Sequence, residues 1–274
     1  MSFALFLRSE KSAPSASSAV SVLVPPVSNL DRAPVRPYAM RMKIGLFGIS
    51  SITPGKHNLK DPRLDQADQL VTAQKKTCAQ VDVAPEKELL TCDAILTSRA
   101  ALSDLLMKDL DFVETRMSRD AGEAEKAVLQ KLANALVSEQ PVSAAGLTAD
   151  ELAVISAHNF YSNKPVVVAT EAELAAPDAL LLRAFAGSGY ISFLTVGGKE
   201  NRAWPLRAGL TAWEAAGTIH TDIQHGFIRA EVISFADLVA AGGETQAKRA
   251  GKLRLELKTY VMQDYDVVNF RFNK

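Results

Sequence analysis

"MKIGLFGISSITPGKHN", Met42 to Asn58, decides how the rest of the chain is read. Lys43 to Ile49 is a short apolar run that predicts a buried strand. Gly48 follows, and then a Gly55-Lys56 pair, so the stretch opens as many nucleotide-binding domains open. A phosphate-binding loop of the Walker A type needs G-x-x-x-x-G-K-[ST]. That spacing curls successive backbone N–H groups round the phosphates, the lysine reaches the terminal oxygens, and the hydroxyl holds Mg²⁺. Here six residues, Ile49 to Pro54, separate Gly48 from Gly55-Lys56. Pro54 removes one amide donor, and His57 stands where the hydroxyl belongs. "DPRLD" at Asp61 arrives so soon that the helix supporting the phosphate is missing or very short.

The whole chain sets wider bounds. Its 274 residues suffice for two domains with a sizeable core. Hydrophobic residues make up 47% and charged residues 23%, as in a soluble globular protein. Lysine plus arginine equal aspartate plus glutamate at 31 each, so net charge supplies no general drive towards nucleic acid or an anionic membrane. No apolar run reaches the length of a membrane span. Cys78 and Cys92 lie far apart with no CxxC, which predicts reduced thiols in a cytoplasmic protein. Residues 1–41 are rich in Ser, Ala and Pro, with several arginines and few acids, and supply no packed core. Three readings compete for them: a disordered tail, upstream sequence preceding a true start at Met40 or Met42, or an organelle transit peptide. The first two are preferred, and fold reasoning starts at Met42.

Downstream, "DPRLDQADQLVTAQKK" predicts a helix, "AQVDVAP" a strand stopped by Pro85, and "DAILTS" another strand. Apolar residues at three- and four-residue spacing in two runs, Leu102 to Val113 and Val128 to Leu136, predict a helical hairpin or short antiparallel coiled coil across about 100–138, broken near Gly122. Thr148 and Glu151 make a capping box. "KPVVVAT" reads as a strand covered on both faces, and "AAPDALLLRAFAGSG" as a helix ended by glycine. Strands separated by helices argue an α/β fold with a mostly parallel sheet. From Tyr190 the texture changes to strand, Gly-Gly turn, strand, short helices, strand and helix, then "KLRLELKTYVMQDYDVVNFRF" as an expected final hairpin. That pattern suggests a small α+β unit of the β-grasp kind.

This last part resembles the C-terminal TGS domain of the YchF / Obg-like ATPase family. The residues that carry the likeness are "RAW" (Arg202 to Trp204), "AAGTIHTD" (Ala215 to Asp222), "GFIRAEVIS" (Gly226 to Ser234), "AGKLRLE" (Ala250 to Glu256) and "QDYDVVNFRF" (Gln263 to Phe272). Upstream, "MKIGLFG", "DPRLD", "CDAIL", "KDLDFVETRMSR" and "NKPVVVA" follow in the family's order. The resemblance implies a shortened P-loop-NTPase-like domain over 42–188 carrying the helical arm, then a TGS domain over 189–274. It also implies ATP or GTP with Mg²⁺ as ligand and the ribosome as partner.

Against that expectation stand three broken elements. The Walker A loop departs as described. The family's second magnesium element is an Asp with Gly three residues on, whereas Asp82 is followed by Pro85. The base-reading motif begins with Asn, whereas Thr170-Glu171-Ala172-Glu173 stands after "KPVVVA". The expectation therefore leans away from an enzyme, with no catalytic residue, no cofactor and no metal. If nucleotide binding survives, Gly48, Gly55, Lys56 and Asp82 are its candidates. His220, Asp222 and His225 have no usual ligand spacing and read as turn-shaping residues. The expected activity is binding, to the ribosome or RNA or to a translation-associated protein, without DNA or membrane. Eleven basic residues against nine acidic ones from Gly189 onward favour RNA only slightly. Candidate contacts are Lys199, Arg202, Arg207, Arg229, Lys248, Arg249, Lys252, Arg254 and Lys258. Trp213 and Tyr265, which replace the family's usual proline and glycine, are expected as exposed aromatics on the contact surface.

Overall fold

The run after Met42 does form a buried strand, and it lies at the centre of the first sheet. A computed structural model describes residues 41–119 and 121–273. The expectations for the N-terminal extension lie outside these residues, except at Arg41. In chain order the elements are β1 (Lys43–Phe47), β2 (Gly55–Asn58), α1 (Pro62–Leu70), β3 (Lys75–Thr77), β4 (Gln80–Ala84), a 3-10 segment (Glu86–Thr91) and β5 (Ala94–Ser98). The arm follows as α2 (Leu102–Met117) and α3 (Glu123–Val137), then α4 (Ala149–Ile155), β6 (Val166–Ala169), α5 (Glu171–Leu174) and α6 (Pro177–Gly187). The C-terminal part contains β7 (Tyr190–Thr195), β8 (Glu200–Arg207), α7 (Ala212–Ile219), α8 (Thr221–His225) and β9 (Phe227–Ile233). It ends with α9 (Phe235–Ala241), α10 (Glu244–Arg249), β10 (Arg254–Glu256) and β11 (Val267–Phe272).

The first sheet has the order β2-β4-β1-β5-β6. β4, β1, β5 and β6 run parallel, and β2 is antiparallel on the outer side of β4. β6 is an edge strand, so its valines alternate between buried and half-buried positions instead of being covered on both faces. The second sheet has the order β10-β9-β11-β7-β8-β3. Its centre pairs β11 parallel with β7, and α7 packs over Phe193, Ala230, Val232 and Val268. This is the β-grasp arrangement.

Two expectations need correction. The expected final hairpin does not form, because β9 lies between β10 and β11 and pairs antiparallel with both. The intervening chain instead turns back to bridge Val261 to Thr211 at the start of α7. The helix expected from Asp61 to Lys76 stops at Leu70, where Val71 takes an extended backbone. Lys75–Thr77 joins the second sheet, parallel to β8.

One apolar core joins the two sheets. Ile44 and Leu46 of β1, Leu64 and Ala67 of α1, and Leu194, Tyr265 and Val267 of the C-terminal part all belong to it. The arm has its own core, in which Leu106, Leu110 and Val113 of α2 meet Leu129, Leu132 and Leu136 of α3. Asp109 ties this arm to the entry of β6. Its buried carboxylate accepts hydrogen bonds from Tyr161 N at 2.7 Å, Ser162 N at 2.8 Å and Ser162 Oγ at 2.6 Å. Burial pushes its pKa above the ordinary carboxylate range, although these three bonds favour the charged form.

Tyr265 is not an exposed contact aromatic, contrary to the sequence expectation. It is 1% exposed. Its backbone turns at a φ of 62°, a left-handed value rare for a bulky residue. The turn is held from both sides: Asp264 accepts from Ser192 N, and Asp266 accepts from Gln263 N and from the Tyr260 hydroxyl. That geometry swings the ring inward, edge-to-face with Phe235 and 3.7 Å beneath the Arg63 guanidinium. Arg63 in turn holds Asp61, the N-cap of α1, and Asp264 at 2.6 Å.

Two stability measurements follow. Asp109→Ala leaves two buried N–H groups without their acceptor and is expected to cost about 3 kcal/mol in urea unfolding; a loss under about 1 kcal/mol contradicts the tie. The Tyr265 hydroxyl is buried with no hydrogen-bond partner among the described residues. Tyr265→Phe is therefore expected to leave stability unchanged or raise it by about 1 kcal/mol, and a clear loss in the same measurement contradicts the assignment.

Candidate functional site

The position of a phosphate loop lies at the end of β1. Gly48 leaves the strand at a φ of 63°, and a Cβ there would stand 2.2 Å from the Ala101 Cβ. The space beyond β1 is thus filled by the approach to α2, where the Ala101 N–H is held by Ser98 Oγ at 3.2 Å. Ile52 is buried in the shared core. His57 Nε2 donates to the Thr53 carbonyl at 2.7 Å, so the imidazole closes the connection on itself. The chain then enters β2, where Gly55 pairs with Val83, Lys56 with Asp82 and His57 with Val81. Lys56 is exposed and makes no ion pair among the described residues. Asp82 lies 3.8 Å from the Arg41 guanidinium.

Gly55, Lys56 and Asp82 are therefore neighbours, but as members of a ladder at a sheet edge. Gly48 is at the other end of the connection. The next helix, α1, starts only at Pro62, and its cap Asp61 already accepts from Arg63 N at 2.9 Å. Among the described residues, no helix N-terminus stands directly behind the Gly-Lys pair.

The other two elements are likewise occupied by local structure. Pro85 precedes the 3-10 segment 86–91, which packs against β1 at Gly45, where a Cβ would lie 2.6 Å from Leu89 Cδ2. Lys164 secures the end of that segment, since its ammonium donates to the carbonyls of Leu89, Leu90 and Cys92 at 3.0, 2.9 and 3.0 Å. Burial lowers its pKa. Thr170 to Glu173 closes a capping box for α5: the Glu173 carboxylate accepts from Thr170 N at 2.9 Å and pairs with Arg183 at 2.6 Å. The hydrogen bond to the Thr170 backbone holds the Glu173 pKa below the usual range. The role of Lys164 was missed in the sequence, because its acceptors are backbone carbonyls about 75 positions away.

In the C-terminal part the candidate bases separate into two groups. Arg202 stacks 3.8 Å over Trp204 and lies near Glu200. Arg207 reaches Asp93, Lys248 reaches Glu244, Lys252 reaches Asp237, and Arg254 reaches Glu256 and the buried Asp266. Lys199, Arg229, Arg249 and Lys258 make no ion pair among the described residues. Trp213 on α7 is 42% exposed, as expected. His220 caps α8, its Nδ1 accepting from Asp222 N at 3.1 Å. Among the described residues no group of three His, Cys, Asp or Glu side chains is placed to hold a metal ion. No helix among them is long and apolar enough to cross a membrane.

In sequence, the similarity to known proteins lies in the C-terminal part of the chain. Residues 190–273 match the family profile YchF-GTPase_C, described as "Protein of unknown function (DUF933)". The chain is 49% identical over 96 residues to the ribosome-binding ATPase YchF of Bacillus subtilis, covering 35% of this chain and 26% of that protein. It is 51% identical over 89 residues to Obg-like ATPase 1 of Oryza sativa subsp. indica, covering 32% and 23%. The aligned part thus spans about a quarter of the length of these curated relatives. The structure of the Schizosaccharomyces pombe YchF GTPase superposes with a TM-score of 0.66 at 18% identity, covering 84% of this chain and 98% of that one, so the likeness in fold extends through both sheets. Residues 190–273 are thus similar in sequence to the C-terminal part of the YchF / Obg-like ATPases.

Proposed function

We propose that the chain is a YchF-family binding protein without a working nucleotide site. In this reading its C-terminal, TGS-like domain docks in the cytoplasm on the ribosome or on a translation-associated partner. The observation that carries the first half is the path of Gly55-Lys56. These residues are spent on strand pairing with β4, so their amides bond sideways in a ladder and do not converge on one point. The loop beyond β1 is occupied by Ala101 and the buried Ile52. Pro85 and the Thr170–Glu173 box remove the γ-phosphate amide and the purine-reading amide in the same sense. The second half rests on relatives named as ribosome-binding and on four bases of the C-terminal part that make no ion pair among the described residues.

Two measurements test the halves separately. A ligand stabilises a fold by RT ln(1 + [L]/Kd), about 2.7 kcal/mol at a hundredfold excess over Kd. Thermal unfolding with millimolar ATP or GTP and Mg²⁺ is expected to show no shift. A rise of several degrees that Lys56→Ala abolishes establishes the competing reading, with nucleotide held at Gly48, Gly55, Lys56 and Asp82. The full chain is expected to co-sediment with ribosomes at low salt and to be released as salt screens the basic contacts. Absence from the ribosome pellet at low salt overturns the binding half.

A further inference from the structure

β10 lies at the end of the second sheet, with β9 on one side and no strand on the other among the described residues. Such an edge presents backbone donors and acceptors to any extended chain that approaches, and proteins ordinarily blunt it with charge or proline. β10 itself is short and carries Arg254 and Glu256, which pair with each other, but apolar side chains stand exposed beside them. Leu255 is 56% exposed and Leu257 69% exposed. Leu255 sits opposite Glu231, on the face turned away from α7, because the neighbouring Ala230 and Val232 point into the core under that helix. Leu257 follows immediately after the strand. Exposed Val261 and Trp213 flank the turn that follows, where Trp213 N donates to the Lys258 carbonyl at 3.3 Å.

The charges round this edge are unbalanced in one direction. Each nearby acid is already held by a base: Glu231 by Arg271, Asp237 by Lys252, Glu244 by Lys248 and Glu256 by Arg254. Arg229, Arg249 and Lys258 have no such partner among the described residues. The acids at the edge are therefore all paired, while Leu255 and Leu257 expose aliphatic surface beside Arg254. Nucleic-acid bases stack on planar rings, which Trp213 offers beside the edge but Leu255 and Leu257 do not. A peptide strand supplies what is missing, with backbone groups for the open ladder, apolar side chains for Leu255 and Leu257, and carboxylates for the three bases.

We infer that β10 is a docking edge that receives an extended acidic and apolar segment of a partner protein as an added strand. This deepens the proposed function and rests on it, because it names the chemistry of the partner at the C-terminal domain.

The test uses the full chain and a short fluorescein-labelled peptide alternating valine and glutamate, followed by anisotropy at low salt. Saturable binding is expected, with slowed amide exchange at residues 254–257. The double variant Leu255→Asp/Leu257→Asp is expected to bind roughly tenfold more weakly, and Arg229→Glu/Lys258→Glu several-fold more weakly. Both leave the thermal midpoint unchanged, since the altered side chains are exposed. Failure of the acidic peptide to bind overturns the inference. So does equal binding of a valine and lysine peptide, or protection that falls only outside β10. Binding of a labelled single-stranded RNA that the peptide does not displace, with no peptide binding, assigns the edge to nucleic acid and also overturns it. Ribosome co-sedimentation that persists while the peptide is ignored removes this inference alone. Peptide binding without co-sedimentation removes the ribosome reading and leaves the edge assignment in place.

Discussion

The Arg63 guanidinium is the contact on which the joining of the two halves depends. It lies over the Tyr265 ring, bonds Asp61 at the head of α1 and bonds Asp264 in the turn before β11. Burial disfavours its charge, but the hydrogen bonds to the two carboxylates hold its pKa above the usual arginine value. Planarity matters here, since one flat fork serves two carboxylates and a ring face at once. Round this clamp the shared apolar core closes, with Leu64 and Ala67 from one side and Leu194 and Val267 from the other. Asn201 repeats the tie at the far end of α1, donating to Asp68 and to the Val71 carbonyl. The second sheet is thus bound to α1 at both ends of that helix, and it takes β3 from the chain between α1 and β4.

That arrangement bears on the fate of the loop after β1. In a fold that cradles phosphate, the chain leaves the strand, wraps the ligand and enters a helix whose first amides face it. Here it leaves β1, inserts Ile52 into the core and returns as β2 at the sheet edge. α1 comes later and is committed to the C-terminal part through Arg63 and Asn201. A helix held in that way is not behind the Gly-Lys pair. The same economy marks the other two positions: a lysine with three carbonyl partners secures the short 86–91 segment, and a capping box closes the end of β6.

The exposed chemistry collects instead at the opposite margin of the second sheet. β10 joins an open ladder, two aliphatic side chains and a surplus of unneutralised bases within a few residues. Lysine blunts the edges at β2 and β3, through Lys56, Lys75 and Lys76, whereas β6 ends the first sheet with valines. β10 differs from these in the exposed leucines that accompany its open ladder.

Much of this was legible in order along the chain. The periodicity of Leu102 to Leu136 determined the two arm helices, Thr148 and Glu151 the capping box of α4, and the spacing between Gly48 and His57 the departure from the Walker A pattern. These are local signals, carried by residues within a few positions of one another. The tertiary structure decided what depends on distant partners. Tyr265 looked like a surface aromatic because its neighbours in sequence are aspartates, and it is buried because Arg63, about two hundred positions away, covers it. Lys75–Thr77 followed a helical pattern and became a strand because β8 offered an open edge. β10 and β11 alternated like a hairpin, but β9 between them satisfies the inner ladders of both, which leaves the outer edge of β10 open. Local pattern selects the element, whereas which hydrogen-bonding edge it meets, and which charge lies over it, is settled only when the chain closes on itself.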